Sequence, residues 1–267
     1  MKKILALLLA ILMVVSFAAC GKKEDSKQEE TLDALGRIKK AGKIIVAMEG
    51  NWSPWTYHDE KDVLTGYDVD LAKGIAKHLG VEAEFVEGEW DGLFAGLDSH
   101  IYDMICNGVD VTPAREEKYN FGEPYALIRT VLVVGKDNET IKSFEDLKGK
   151  TTANSIGSTY MEMAEDFGAT VSGVDTLGET MQMVLMGRVD ATLNADVSVA
   201  EYFAEQPDAA LKIVAETPEA NAVAVPIPKG DDFATLRAAV DDAIKAMKAD
   251  GTLSQLSIKY FGIDVSK

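Results

Sequence analysis

The chain has 267 residues, with 44 Asp and Glu against 27 Lys and Arg, a net charge of −17. Phosphate backbones and anionic phospholipid repel so acidic a surface, which excludes nucleic acid as a partner and excludes adsorption to a membrane by charge alone. Two cysteines leave no room for a disulfide framework, so stability has to come from buried apolar area.

The first segment reads as an export signal. Lys2 and Lys3 supply positive charge, Ile4 to Phe17 form an apolar run, and Ala18 and Ala19 precede Cys20. The run is shorter than the ~20 residues of a membrane-spanning helix. Phe17-Ala18-Ala19-Cys20 resembles a bacterial lipobox, with Phe17 where Leu is usual. Residues 1–19 are therefore expected to be a lipoprotein signal peptide, and Cys20 the acylated residue that anchors the protein on the outer side of the cell membrane. An ordinary signal cleaved nearby is the alternative. Gly21 to Glu30 contains no aliphatic or aromatic residue and cannot bury enough area to order itself, so residues 20–42 read as a disordered tether. With Cys20 lipidated, only Cys106 remains, and its run Tyr102-Asp103-Met104-Ile105-Cys106 reads as a strand with a small buried thiol.

Beyond the tether, strands alternate with helical periods, the pattern of an α/β fold. Ile44 to Met48 is a near-continuous apolar strand. Gly66 to Asp70 opens a helix with Leu71, Ala72, Ile75, Ala76 and Leu79 on one face, stopped by Gly80. A strand at Ala83 to Val86, a helix at Trp90 to Leu97, a strand at Asp103 to Cys106 and a buried strand at Val131 to Val134 follow. A second cycle begins at the capping-box pattern of Ser143 and Asp146. It continues through a strand at 151–154, a helix at 159–167, a second capping box at Thr176 and Glu179, a short helix to Met186 and a strand at 190–194. Ala222 to Pro226 reads as a last strand and Asp231 to Lys248 as an amphipathic helix with Leu236, Val240, Ile244 and Met247 on one face. No third cycle follows, so the end of the chain is expected to return to the first lobe. Residues 43–131 plus 223–267 form lobe 1 and 132–222 lobe 2, with Val131–Val134 and Ala222–Pro226 crossing between them as a two-strand hinge. A ligand cleft is expected between the lobes.

The segment Cys106 to Arg115 carries the chemistry. Thr112 can cap a helix whose first residue is Pro113, which places Arg115 on the first turn. A guanidinium beside free N–H groups suits a carboxylate. The alternative is a solvated arginine paired with Glu116 or Glu117. Gly157-Ser158-Thr159 opens a helix in the other lobe in the same manner, and the two helix starts can share one anionic ligand across the cleft. All three tryptophans follow strands: Trp55 reads as core, Trp52 and Trp90 as flat walls for a ligand.

Several motifs occur in register: Glu49 to Trp55, Gly66-Tyr67-Asp68-Val69-Asp70-Leu71-Ala72, Trp90-Asp91-Gly92-Leu93, Thr112-Pro113-Ala114-Arg115, Phe121 to Tyr125, Asp146 to Lys150 and Gly187-Arg188-Val189-Asp190-Ala191. In this order they resemble the solute-binding proteins of polar amino acid ABC transporters, in the branch of cystine, glutamine, histidine and lysine/arginine/ornithine binders. The resemblance implies a two-lobed periplasmic-binding-protein-like fold of type II, two mixed sheets flanked by helices. It also implies an extracytoplasmic monomer that delivers a polar amino acid to a membrane permease and has neither cofactor nor metal.

It implies roles residue by residue as well. Arg115 binds the ligand's α-carboxylate, Trp52 and Trp90 sandwich its side chain, Asn107 and Gly108 make backbone contacts, Ser158 and Thr159 donate from the second lobe, and Glu49 touches the far end. Two positions depart from the pattern. Asp110 stands where Ser or Thr is usual, and Ala195 stands where an Asp usually holds the ammonium, flanked by Asn194 and Asp196. Either Asp196 takes that role or Asp110 does, and Glu49, Asp110, Ser155 and Asn194 are expected to set selectivity. Against an enzyme, His58, His78 and His100 are scattered and no HExxH, GxSxG or P-loop pattern is present. A dehydratase of the same architecture, or a ligand-sensing lipoprotein without a transport role, would be the alternatives.

Overall fold

The computed structural model describes residues 32–267; the signal segment, Cys20 and most of the tether lie outside them. The elements run α1 (Ala34–Ala41), β1 (Lys43–Met48), β2 (Asn51–Trp52), β3 (Thr56–His58), β4 (Leu64–Thr65), α2 (Tyr67–Leu79), β5 (Glu82–Glu87), α3 (Trp90–Asp98), β6 (Met104–Ile105), α4 (Pro113–Lys118), β7 (Tyr119–Phe121) and β8 (Ala126–Ile128). They continue through β9 (Thr130–Gly135), β10 (Thr151–Ser155), α5 (Thr159–Asp166), β11 (Thr170–Val174), α6 (Leu177–Leu185), β12 (Ala191–Ala195), α7 (Asp196–Glu205), β13 (Leu211–Glu216), β14 (Asn221–Val223), β15 (Pro226–Pro228), α8 (Ala234–Ala249) and α9 (Thr252–Phe261).

The first half is built on a three-stranded parallel sheet, β5-β1-β6. Side chains alternate across it as a strand requires. Ile44, Val46, Met48, Met104 and Cys106 face one core with α2 and α8, while Ala47 and Ile105 face a second with Leu93 and Leu97 of α3. The second half is a mixed five-stranded sheet, β11-β10-β12-β9-β13, in which β9 runs antiparallel to both neighbours. Val131 and Val133 of β9 point into one core, Leu132 and Val134 into the other, so the strand is buried on both faces. Cys106 is a free, fully buried thiol, as expected.

Two expectations need correction. Residues 20–42 are not a tether throughout, because α1 is a capped helix: Asp33 accepts from the Gly36 N–H at 2.8 Å, Gly42 closes the helix in the left-handed conformation, and Ala34 and Ile38 enter the first core. The polar run before it hid a helix short enough to show only two core positions. The expected hinge is also displaced. Val131–Val134 is the interior of β9 within the second sheet. The antiparallel pair that joins the halves is β8 with β14, Leu127 opposite Ala222. Thr130 already pairs with Ala195 of β12, so the boundary at residues 131 and 132 falls inside a strand. The strand expected over Ala222–Pro226 is divided between β14 and β15, the second pairing with β7.

The C-terminal segment does return to the first half, where Leu236, Val240, Ile244 and Met247 pack against α2. Ile75 is fully buried in that contact. Replacing Ile75 with Ala is expected to cost about 2–5 kcal/mol of unfolding free energy through the cavity it leaves, read from denaturant midpoints.

Candidate functional site

A cavity of about 500 Å³ lies where the two halves meet, lined from the first half by Glu49, Asn51, Trp52, Trp90, Gly108, Asp110 and Arg115. Ser155, Ser158, Thr159, Tyr160, Asp175, Thr176, Leu177 and Asn194 line it from the second. Among the described residues, Arg115 is the one cationic side chain on these walls.

Local sequence places Arg115. The Thr112 hydroxyl accepts from the Arg115 N–H at 3.2 Å, with Pro113 at the first helical position as the sequence predicts. Its Nη1 donates to the Asp110 carbonyl at 3.0 Å, and the guanidinium lies over the rings of Trp90 and Phe94, 5.3 and 5.4 Å from their centroids. Rings and carbonyl orient the group without neutralising it, since neither is an anion. Burial pushes the guanidinium pKa down, and the Asp110 charge opposes that shift.

Asp110 is 5% exposed and lines the same end of the cavity. The Thr159 hydroxyl donates to its Oδ2 at 2.5 Å, a direct bond between the two halves. A second such bond runs from the Trp55 indole N–H to Ser198 Oγ at 3.0 Å. Ser158 caps α5 by accepting from the Met161 N–H.

The floor is held from behind. Gly108 has φ +55°, and a Cβ there would sit 2.7 Å from the Trp52 ring, so a glycine lets the chain turn against the indole. Its N–H donates to Oδ2 of the fully buried Asp68 at 2.5 Å. Sequence reading missed Asp68, because a carboxylate in the first turn of a helix usually only complements the helix dipole. Trp52 stacks on Trp55, centroids 5.4 Å apart; Trp55 is core, as expected, and Trp52 and Trp90 line the cavity. Asn107 grips the loop after β1: its Oδ1 accepts from the Glu49 N–H at 2.8 Å and its Nδ2 donates to Glu49 Oε2 at 2.6 Å.

Of the predicted residues, Glu49, Trp52, Trp90, Gly108, Asp110, Arg115, Ser155, Ser158, Thr159 and Asn194 share the cavity. Asn107, Thr112 and Asp196 do not line it. Asn107 and Thr112 act behind the walls as clamp and cap. Asp196 starts α7, where its Oδ1 accepts from the Val197 N–H and its neighbours are Arg129 and Glu216. The sequence reading did not name Asn51, Tyr160, Asp175, Thr176 or Leu177. The last three open α6 directly after β11, the same strand-to-helix grammar that had singled out Ser158, and Thr176 was read only as a cap.

Fold and cavity together define an α/β protein of the type II periplasmic-binding-protein-like class. Residues 44–263 match the family described as bacterial extracellular solute-binding proteins, family 3, and the chain belongs to that family. Over 100% of both chains it is 41% identical to the L-cystine-binding protein TcyA of Bacillus subtilis. Among solved structures, an ancestral arginine-binding protein bound to arginine matches with a TM-score of 0.77 at 36% identity, covering 83% of this chain and 99% of that one. The L-cystine solute receptor of Neisseria gonorrhoeae, in the unliganded open conformation, is 39% identical with a TM-score of 0.59, covering 86% of this chain and 98% of that one. These relatives are binding proteins, in agreement with the non-enzymatic reading.

Burial drives two carboxyl groups upward, Asp68 from 3.8 to about 7 and Glu49 from 4.5 to about 7, the latter opposed by its bond from Asn107. A carboxyl whose folded pKa exceeds its unfolded value binds protons more tightly when folded. Each such group therefore stabilises the fold most at low pH, and that contribution is lost as pH rises through about 7. The ligand-free melting temperature should fall between about pH 5 and about pH 8, and Asp68→Asn and Glu49→Gln should each flatten that fall in scanning calorimetry.

Proposed function

We propose that the chain is the extracytoplasmic substrate-binding protein of an ABC importer, held at the membrane by a lipid on Cys20, and that it captures a polar amino acid by closing two lobes around it. L-cystine is the foremost candidate. The observation that carries the reading is the position of Arg115, a half-buried guanidinium with no ion pair among the described residues, on the same cavity as Ser158 and Thr159 of the second half. A guanidinium held this way presents its free N–H groups to a carboxylate in a fork, the geometry that binds two oxygens at once.

Three further facts support it. The cavity draws its lining from both halves, and its two indole walls suit a flat or apolar side chain. Direct bonds already join the two halves, and the fold resembles the arginine-bound relative more closely than the open, unliganded one, as a closed arrangement should. Cystine is favoured over other amino acids because the full-length relative and the gonococcal receptor, both near 40% identity, are named for it. Closure would follow from affinity: a ligand touching both halves binds the closed state better and shifts the population toward it. The closed form then docks on the permease, whose partner ATPase supplies the energy.

Calorimetric titration with the common amino acids plus cystine and ornithine tests the reading. L-Cystine is expected to bind one to one, and Arg115→Ala to weaken it by about a hundredfold or more, the loss of one charge-assisted fork. An unchanged dissociation constant in that variant would refute the placement of the site.

A further inference from the structure

We propose that the buried bond from the Trp55 indole to Ser198 is a latch that holds the closed arrangement and thereby sets how long a ligand stays; the inference rests on the reading of the protein as two lobes that close on a ligand. The latch joins the halves at a place away from the ligand. Neither Trp55 nor Ser198 lines the cavity, and both side chains are buried. The indole N–H donates to Ser198 Oγ at 3.0 Å.

The two ends of the bond are anchored in different halves. Trp55 is fixed in the first: its N–H donates to the Trp52 carbonyl at 3.0 Å, its carbonyl accepts from the Asp68 N–H at 3.0 Å, and its ring packs on Tyr67 and Phe261. Ser198 lies in the first turn of α7, which packs on β9 and β12 of the second sheet. Its two neighbours in the chain serve different cores. Val197 enters the core of the first half and Val199 that of the second, so Ser198 sits in the seam between them. Rotating one half away from the other therefore draws the hydroxyl off a tryptophan that is held in place.

The same indole backs the cavity wall. Trp52 lines the cavity and stacks on Trp55 with 20° between the ring planes, so a ligand resting on Trp52 and the bond to the second half act on one aromatic stack. The bond from Thr159 to Asp110, by contrast, lies on the cavity wall, where an arriving ligand competes for its atoms. The bond at Ser198 is spared that competition. In the closed arrangement the indole N–H is shut off from water, and without the hydroxyl it would be a buried donor left unpaired. Once the halves part, water can take the hydroxyl's place. Loss of the hydroxyl thus penalises the closed state, and apparent affinity falls with the population of that state.

Stopped-flow binding and small-angle X-ray scattering test the proposal, with L-cystine as the probe. Wild type should contract on binding. Ser198→Ala should contract to the same radius at saturation, keep the wild-type association rate and release L-cystine about tenfold faster. In a Trp55→Phe background, which has no indole N–H, Ser198→Ala should add no further acceleration. Val199→Ala, which cuts into the second core alone, should lower the melting temperature and leave release unchanged. A folded Ser198→Ala with the wild-type release rate overturns the latch, as does an acceleration that persists in the Trp55→Phe background or is matched by Val199→Ala; the closure reading stands in each case. Wild type that binds L-cystine without contracting overturns closure and the latch together.

Discussion

Arg115 introduces a positive charge into a cavity whose other ionisable walls are acidic, and the surrounding structure serves to keep that charge oriented and unneutralised. Thr112 caps the helix that carries it, the Asp110 carbonyl takes one N–H, and Trp90 and Phe94 support the guanidinium plane. None of these partners is an anion that would satisfy the charge. Burial raises the cost of leaving it alone, which increases what a carboxylate ligand gains on arrival.

The topology explains why such a site lies between two sheets. In the first half, the parallel strands β1 and β6 end on the cavity side; the loops that leave them carry Glu49, Gly108 and Asp110, and β2 directly after β1 carries Trp52. In the second half, α5 and α6 start beside the cavity directly after β10 and β11 and present Ser158, Thr159 and Thr176. The loops are locked to each other by buried polar groups, Asn107 between Glu49 and Thr56 and Asp68 under Gly108. A wall built this way is rigid before a ligand arrives, which lowers the ordering cost of binding.

Much of this was legible in the chain because its signals are local. The apolar run Ile44–Met48, the stripe of α2, the Thr112–Pro113 cap and the capping box at Thr176 depend on neighbours within a few residues, and each formed where it was read. What escaped depends on distant partners. Val131–Val134 reads as a buried strand in either a hinge or a sheet interior, and only its pairing with β12 and β13 decides. The helix α7 has Val197, Val199 and Ser198 in its first turns, residues of modest helix propensity, and its packing against β9 and β12 overrides that. Asp68 carries no local sign of its bond to Gly108, forty residues on. Asp196 likewise lies beside Arg129 and Glu216 and not on the cavity wall, a placement that depends on distant partners.

The central claim is that this cavity holds an amino acid by its charged head, between two indoles, with groups from both halves around it. A crystal structure of the protein with L-cystine is the most direct measurement. The account predicts a carboxylate of the ligand on the guanidinium of Arg115, its chain between Trp52 and Trp90, and Thr159 within hydrogen-bonding reach. A ligand bound elsewhere, or one in the cavity with its carboxylates turned away from Arg115, would contradict it.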